Sequence, residues 1–186
     1  MIAGISLCFN HKRMISHRKR FVLSRGFNAI VGPNGSGKST LLRAIYKCRD
    51  CKRHESGPTR YQYFNGEMMN PHRAYKYFKG LQGTIIRTRA LFSSHGETMR
   101  DVLGSYNPQK GDCFILDEPE TGHDLEWIIK IRKGLDALVQ EGCQVIVASH
   151  HPVFWHNAKV IELKRDYLRQ ALKIMSAQIE DKGGHS

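Results

Sequence analysis

The sequence predicts an α/β fold in which a mostly parallel central sheet is flanked by helices. Short apolar runs of strand length recur along the chain, and the longest helical pattern, residues 126–141, separates two of them. Parallel strands need crossover connections of this kind, so alternating strands and helices favour this fold class. The predicted strands of the central sheet are residues 28–31, 113–116, 144–148 and 160–163.

An antiparallel strand pair is predicted at the beginning of the chain. Ile5, Leu7 and Phe9 alternate with polar residues, which is typical of a half-buried strand. The apolar run 21–23 is expected to pair with it.

The remaining elements complete one domain, predicted to span residues 1–182. A short helical lobe is expected over about residues 46–104, and a last amphipathic helix over residues 165–179. Residues 183–186 are expected to form a disordered tail. The side of the last helix that is expected to be apolar contains Leu168, Leu172 and Met175.

The strongest functional pattern is the run Gly-Pro-Asn-Gly-Ser-Gly-Lys-Ser-Thr at residues 32–40, between a predicted strand and a predicted helix. Glycines let successive backbone N–H groups point at a polyphosphate, Lys38 reaches the terminal phosphates, and the Ser39 hydroxyl can ligate Mg²⁺. The helix that follows directs its positive end at the same anion. The predicted nucleotide-binding residues of this loop are Asn34, Gly35, Ser36, Gly37, Lys38, Ser39 and Thr40.

Two adjacent carboxylates follow the predicted strand 113–116, and Pro119 comes next. Asp117 is expected to hold Mg²⁺, directly or through a water. Glu118, pointing the other way, is expected to orient and deprotonate the water that attacks the γ-phosphate.

A histidine follows the predicted strand 144–148. His150 is expected to lie next to the γ-phosphate beside Glu118, because the carboxyl ends of parallel strands meet at one edge of the sheet.

With these motifs the chain resembles the ABC-type ATPase superfamily over about residues 21–155. Residues 117–124 resemble the acidic strand end and dimer-contact loop of the family, with Asp124 at that loop's aspartate, and residues 149–152 resemble its switch-histidine segment. The signature is matched by residues 93–97 at Ser94, Gly96 and Glu97, whereas Ser93 and His95 depart from it.

The resemblance implies an α/β ATPase domain that binds ATP with Mg²⁺ and hydrolyses it. It also implies that Ser94 and Gly96 contact the γ-phosphate held by Lys38 of a second subunit. Since the chain carries one copy of each motif and no internal repeat, an ATP-dependent dimer is expected, either of this chain or with a related subunit.

The branch of the family is predicted from the short segment before the signature and from the altered signature itself. About fifty residues separate the phosphate-loop helix from Ser94, and no heptads indicate coiled-coil arms. The chain is most similar to the small stand-alone ATPases of the non-transport branch, which serve chromosome structure and DNA repair. An ATP-dependent switch that recruits an effector protein, and a transporter ATPase subunit, are the alternatives.

Two assignments stay open. The contact to the γ-phosphate or Mg²⁺ made by the family's glutamine loop has the candidates Gln62, Asn65 and Glu67. The residue that stacks on adenine has the candidates Phe9, His11 and His17.

Charge is uneven along the chain, whose net charge is +12. Residues 1–110 contain 20 basic and 5 acidic side chains, which indicates a cationic surface able to neutralise nucleic-acid phosphates. Nucleic acid is therefore the expected partner of residues 11–100, with an acidic protein or an anionic membrane as alternatives. The basic residues that form this pattern are Lys12, Arg13, Arg18, Lys19 and Arg20 in a predicted hairpin or loop, Arg49, Lys52 and Arg53, and Arg73, Lys76 and Lys79 among Tyr75, Tyr77 and Phe78.

The five cysteines are expected to be reduced, with Cys8, Cys113 and Cys143 as small core residues. Cys48 and Cys51, followed by His54, have a spacing that can begin a zinc site, but no fourth ligand is evident. No apolar run approaches the length of a membrane span or has the form of a secretion signal, so a soluble, cytoplasmic protein is expected.

Overall fold

The central element of the fold is a five-stranded sheet in which every pairing is parallel. A computed structural model describes residues 1–15, 19–65 and 108–183. The strand order is β5-β6-β7-β3-β8, and the predicted α/β class is confirmed. Its strands are β3 (Phe27–Val31), β5 (Tyr61–Asn65), β6 (Cys113–Asp117), β7 (Gln144–Ala148) and β8 (Lys159–Glu162).

A smaller antiparallel sheet of order β2-β1-β4 lies beside it. Its strands are β1 (Ile2–Ser6), β2 (Arg20–Val22) and β4 (Lys52–Glu55). The expected strand pair is present, with Ile5 opposite Phe21. Lys12 and Arg13 were expected in a hairpin or loop, but they lie in helix α1 (Phe9–Ile15), whose last residue is buried in the core.

The two faces of the central sheet are covered by different helices. Helix α2 (Lys38–Lys47) packs on one face, helix α3 (Leu125–Gln140) on the other, and a short 3-10 turn spans Pro152–Phe154. Strand residues alternate between the faces, so Ile115 and Ile146 pack on the α2 side while Phe114 and Val145 pack on the α3 side. Asp117 is two residues beyond Ile115, which places it on the α2 side.

Helix α4 (Tyr167–Gly183) begins directly after Asp166. Asp166 has a φ of 60°, a left-handed backbone conformation that lies outside the helix. Leu168, Ala171 and Met175 pack on the core, but Leu172 is 47% exposed, so the predicted apolar side was wrong at that position. The helix also continues through Gly183, which was assigned to the tail.

Strands β4 and β5 both lie within the range 46–104 that was expected to form a helical lobe. The expectation was therefore wrong for the first part of that range, where the chain pairs with β1 and then with β6. The rest, from residue 66 onward, lies outside the described residues.

Buried Gln144 joins the two sheets. Its Oε1 accepts a hydrogen bond from the backbone N–H of Ile2 at 2.9 Å, and its Nε2 donates to the carbonyl of Ile2 at 2.7 Å and to that of Ser24. Since buried backbone groups must be paired, this amide holds β1 against the first residue of β7.

In the described ranges, no helix combines the length and hydropathy that a membrane crossing needs.

Candidate active site

The glycine-rich loop connects β3 to α2 and is shaped by close backbone contacts. Gly35 and Gly37 have φ values of 75° and 93°, which favour glycine. A Cβ on Gly37 would lie 3.0 Å from the Cα of Ile15, and a Cβ on Gly32 would lie 2.6 Å from the Oγ of Ser36. The loop therefore packs directly against helix α1 and against itself.

Lys38 is the first residue of α2, and its side chain is buried beneath the loop. Its Nζ donates to the carbonyl of Gly32 at 3.2 Å and to that of Pro33 at 3.3 Å. The His150 Nε2 atom lies 2.7 Å from the same ammonium. Burial lowers the pKa of Lys38, and the nearby carboxylates, Glu118 first among them, oppose that shift.

Asp117 ends β6 with both carboxylate oxygens engaged. Ser39 Oγ donates to Oδ1 at 2.9 Å, and the hydroxyl of Tyr63 donates to Oδ2 at 2.9 Å. The predicted Mg²⁺ ligands Ser39 and Asp117 are thus in contact, and both present oxygen atoms, the ligands that Mg²⁺ prefers. Sequence reasoning missed Tyr63, because 54 positions separate it from Asp117.

The buried hydroxyl of Ser36 provides a test of whether a phosphate fits the loop. Its Oγ has no hydrogen-bond partner among the residues that the structure describes. A buried polar atom without a partner costs free energy, and a phosphate oxygen bound in the loop would accept a hydrogen bond from this hydroxyl. The loop and the Ser39–Asp117 pair therefore fit a magnesium nucleotide.

Glu118 has a backbone conformation that is rare for a residue with a side chain. Its φ is 51°, and its N–H donates to the carbonyl of Ala148 at 2.9 Å. This turn sends the side chain away from Asp117, so that Oε1 lies 3.9 Å from the Nε2 of His150. The side chains of Glu118 and His150 are 44% and 33% exposed, in contrast to the buried Lys38 and Asp117.

A cavity of about 380 Å³ opens over the loop, within the size range of small-molecule sites. It brings together most of the predicted nucleotide-binding residues with the predicted base. The lining residues are Met14, Asn34, Gly35, Gly37, Lys38, Ser39, Thr40 and Glu118.

Glu120 and Ser149 position the histidine, and sequence reasoning did not assign them. Glu120 Oε1 accepts from Ser149 Oγ at 2.8 Å and from the backbone N–H of His150 at 2.7 Å. On the other side of the ring, the hydroxyl of Tyr167 lies 3.4 Å from His150 Nδ1. Only the fold brings Glu120 and Tyr167 to Ser149 and His150, so no local pattern could have indicated these contacts.

The other predicted residues contribute no side chain to the contacts described above. Asp124, assigned to the dimer-contact loop, accepts from the N–H of Trp127 and caps α3. Asn65 is in register with Asp117 at the end of β5, whereas Gln62 lies three residues earlier, opposite Phe114. Ser94, Gly96, Glu67 and His17 lie outside the described residues.

Of the other two adenine candidates, Phe9 is 73% exposed, and the guanidinium carbon of Arg13 lies 5.8 Å from its ring centroid. His11 instead faces two cysteines. Neither contact identifies an adenine platform.

Comparison with known proteins agrees with these motifs. The family model AAA_23, described as an AAA domain, matches residues 8–66. The chain is 25% identical to the zinc import ATP-binding protein ZnuC of Buchnera aphidicola subsp. Baizongia pistaciae, over 79% of this chain and 72% of that protein. It is 27% identical to an uncharacterized ABC transporter ATP-binding protein of Methanocaldococcus jannaschii, over 73% of each chain.

The fold is also similar to that of a metal-chelate type ABC transporter solved in an inward-facing conformation. The TM-score is 0.51 at 16% sequence identity, with 78% of this chain and 72% of the other covered. The narrower resemblance to non-transport ATPases is not confirmed by these relatives. The chain is similar to the ABC-type P-loop ATPases in its motifs, its sequence and its fold, and ATP hydrolysis with Mg²⁺ is the activity that this similarity indicates.

Proposed function

We propose that two copies of this chain close on ATP, each supplying its phosphate loop to one nucleotide and its signature residues Ser94 and Gly96 to the other. The observation that carries this proposal is the exposure of Glu118 and His150. Water competes for such groups until a second surface covers them. The single copy of each motif supports a partner chain as the source of that surface.

Within each half, the residues divide the work of hydrolysis. Lys38 and the loop N–H groups bind the phosphates, and Ser39 and Asp117 would hold Mg²⁺. A bound Mg²⁺ would supply positive charge against the negative charge that develops on the phosphate oxygens. His150 holds the γ-phosphate in place, and Glu118 accepts a proton from the attacking water. The new P–O bond forms as the bond to the bridging oxygen breaks, which releases ADP and phosphate.

The dimer is tested with Glu118→Gln, which keeps the size of the side chain but removes the base. We expect this variant to accumulate as a dimer in Mg-ATP, because closure is no longer followed by hydrolysis. Sedimentation velocity at micromolar protein measures the change, and Lys38→Ala, which loses the phosphate contact, is the matched control that stays monomeric. A Glu118→Gln variant that stays monomeric in Mg-ATP would contradict the proposal.

We propose nucleic acid as the partner that this ATPase acts on or with. The support is a pair of basic residues on the antiparallel sheet. Arg20 on β2 and Lys52 on β4 are both in register with Ser6 on the central strand β1. Both cations are exposed, and residues in register share one face. Arg53, counted in the basic pattern, instead turns inward, where its Nη1 donates to the carbonyls of Ile45 and Cys48.

A transporter ATP-binding subunit is the second candidate function, and the names of the relatives favour it. In that case the partner is a membrane protein, and Arg20 and Lys52 have no role in ATP turnover. A separate effector protein is compatible with either candidate.

The two candidates are separated by steady-state ATP hydrolysis with double-stranded DNA, single-stranded DNA or RNA at low and high salt. The nucleic-acid proposal predicts stimulation that salt weakens, because phosphate contacts release counterions. Arg20→Glu with Lys52→Glu should remove the stimulation, while Lys133→Glu, at an exposed position of α3, should keep it. The absence of stimulation by all three at low salt would exclude nucleic acid and leave the transporter candidate.

Tyr63 provides a test of the magnesium site. Burial and then the charge of Asp117 raise the pKa of Tyr63 to about 12, so the phenol remains a donor at neutral pH. Tyr63→Phe removes the hydrogen bond that orients Asp117. This variant should raise the Mg²⁺ concentration needed for half-maximal hydrolysis by about tenfold. Losses of this size are typical when a residue that hydrogen-bonds a metal ligand is removed.

Tyr61→Phe is the matched control for this measurement. Tyr61 lies on the same strand, but its hydroxyl donates to Glu55, away from the site. A magnesium titration of the two variants decides the outcome, and an equal Mg²⁺ requirement in both would show that the hydroxyl of Tyr63 has no role in metal binding.

A further inference from the structure

Four metal-ligating side chains meet where the beginning of helix α1 touches the α2–β4 connection. Cys8 and His11 come from the first segment, residues 8–11, and Cys48 and Cys51 come from the second, residues 48–51. Their ligand atoms all lie within 4.8 Å of one another. We propose that these four residues bind a structural Zn²⁺ ion, separate from the magnesium site of the ATPase.

The distances are close to those of a tetrahedral zinc centre. His11 Nδ1 lies 3.1 Å from Cys8 Sγ and 3.4 Å from Cys51 Sγ. Zinc bonds of about 2.3 Å to sulfur and about 2.0–2.1 Å to nitrogen place the ligand atoms about 3.5–3.8 Å apart. Side-chain shifts on the order of 1 Å or less therefore bring all four atoms onto one ion.

The ligand set identifies both the metal and its role. Three thiolates and one imidazole are soft and borderline ligands that select Zn²⁺ over Mg²⁺. Four protein ligands complete a tetrahedron and leave no position for a substrate, which is typical of structural zinc. Each pair has the short spacing of a zinc-binding turn, Cys-x-x-His in the first segment and Cys-x-x-Cys in the second.

The structure corrects the ligand set that the sequence indicated. His54 was the third candidate, but its Nε2 lies 2.9 Å from Ser6 Oγ on the neighbouring strand. Cys8, expected to be a core residue, is partly exposed and faces His11 instead. Cys113 and Cys143 are buried, as predicted for core residues.

The surroundings of the four ligands support a metal site. The backbone N–H of Cys8 donates to Cys51 Sγ at 3.3 Å, a bond that stabilises a metal-bound thiolate. Three thiolates with Zn²⁺ carry one net negative charge. Lys12, Arg49 and Lys52 are next to ligands in the sequence and add positive charge to the two segments.

The position of the site gives the ion a structural consequence. It would fasten helix α1 to the end of α2, and the last residue of α1, Ile15, packs against Gly37 of the phosphate loop. Met14 lines the nucleotide cavity from the same helix. A zinc ion here would hold one wall of the nucleotide site in place.

The test is the metal content of the full chain, purified without a histidine tag and analysed by elemental mass spectrometry. We expect about one zinc per chain in the wild type and in His54→Ala, and loss of the zinc in Cys51→Ser. His54→Ala is the matched control, because it removes a histidine from the same stretch of sequence but outside the cluster. Equal loss in both variants would overturn the assignment of the four ligands.

Cobalt substitution keeps the test decisive if Cys51→Ser fails to fold. Under reducing conditions the wild type should bind one Co²⁺ with the visible absorption of a tetrahedral ion and a thiolate charge-transfer band, and Zn²⁺ should displace it. A wild-type chain that contains no zinc and binds no Co²⁺, or whose cysteines pair as a disulfide under these conditions, would overturn the proposal.

Discussion

The buried ammonium of Lys38 is the constraint on which the site depends. A cation taken out of water is costly unless opposite charge and hydrogen-bond acceptors surround it. Two loop carbonyls accept from Lys38, and carboxylates at and just after the end of β6 favour its charged form. The parallel order β6-β7-β3 brings these carboxylates to the phosphate loop, because the ends of the three strands meet at one edge of the sheet.

That same edge gives two adjacent carboxylates opposite environments. Asp117 is buried and accepts hydrogen bonds from Ser39 and Tyr63, which fixes its oxygens for a metal ion. Glu118 turns through a positive φ into the cavity and remains partly exposed near His150. Because neighbouring strand residues point in opposite directions, one Asp-Glu step can supply both a metal ligand and a base.

The sequence predicted the parts of this site that are local. The glycine-rich loop, Asp117, Glu118 and His150 each follow a recognisable strand, so their chemistry and their common edge could be inferred. Tyr63, Glu120 and Tyr167 could not be found in this way, because each acts on a residue that is distant in the sequence or has no local motif. The same holds for Cys8 and His11, which only the pairing of β1 with β4 brings to Cys48 and Cys51.

The errors have related causes. Alternation of apolar residues correctly predicted β1 but extended it to Phe9, where the chain has already entered α1. The pattern of basic residues predicted a loop and counted Arg53 as a surface charge, although backbone carbonyls bind its guanidinium. Composition gives the number of charged side chains, whereas the register of a strand determines which face of the sheet each side chain occupies.

The most direct measurement is the rate of phosphate release from Mg-ATP by the wild type and by Glu118→Gln. The matched control is Glu126→Gln, which removes an exposed carboxylate on α3 that pairs only with Lys130 among the described residues. The account predicts turnover in the wild type and in the control, and a loss of at least about a hundredfold in Glu118→Gln, the usual contribution of a general base. Hydrolysis by Glu118→Gln at the wild-type rate would contradict it.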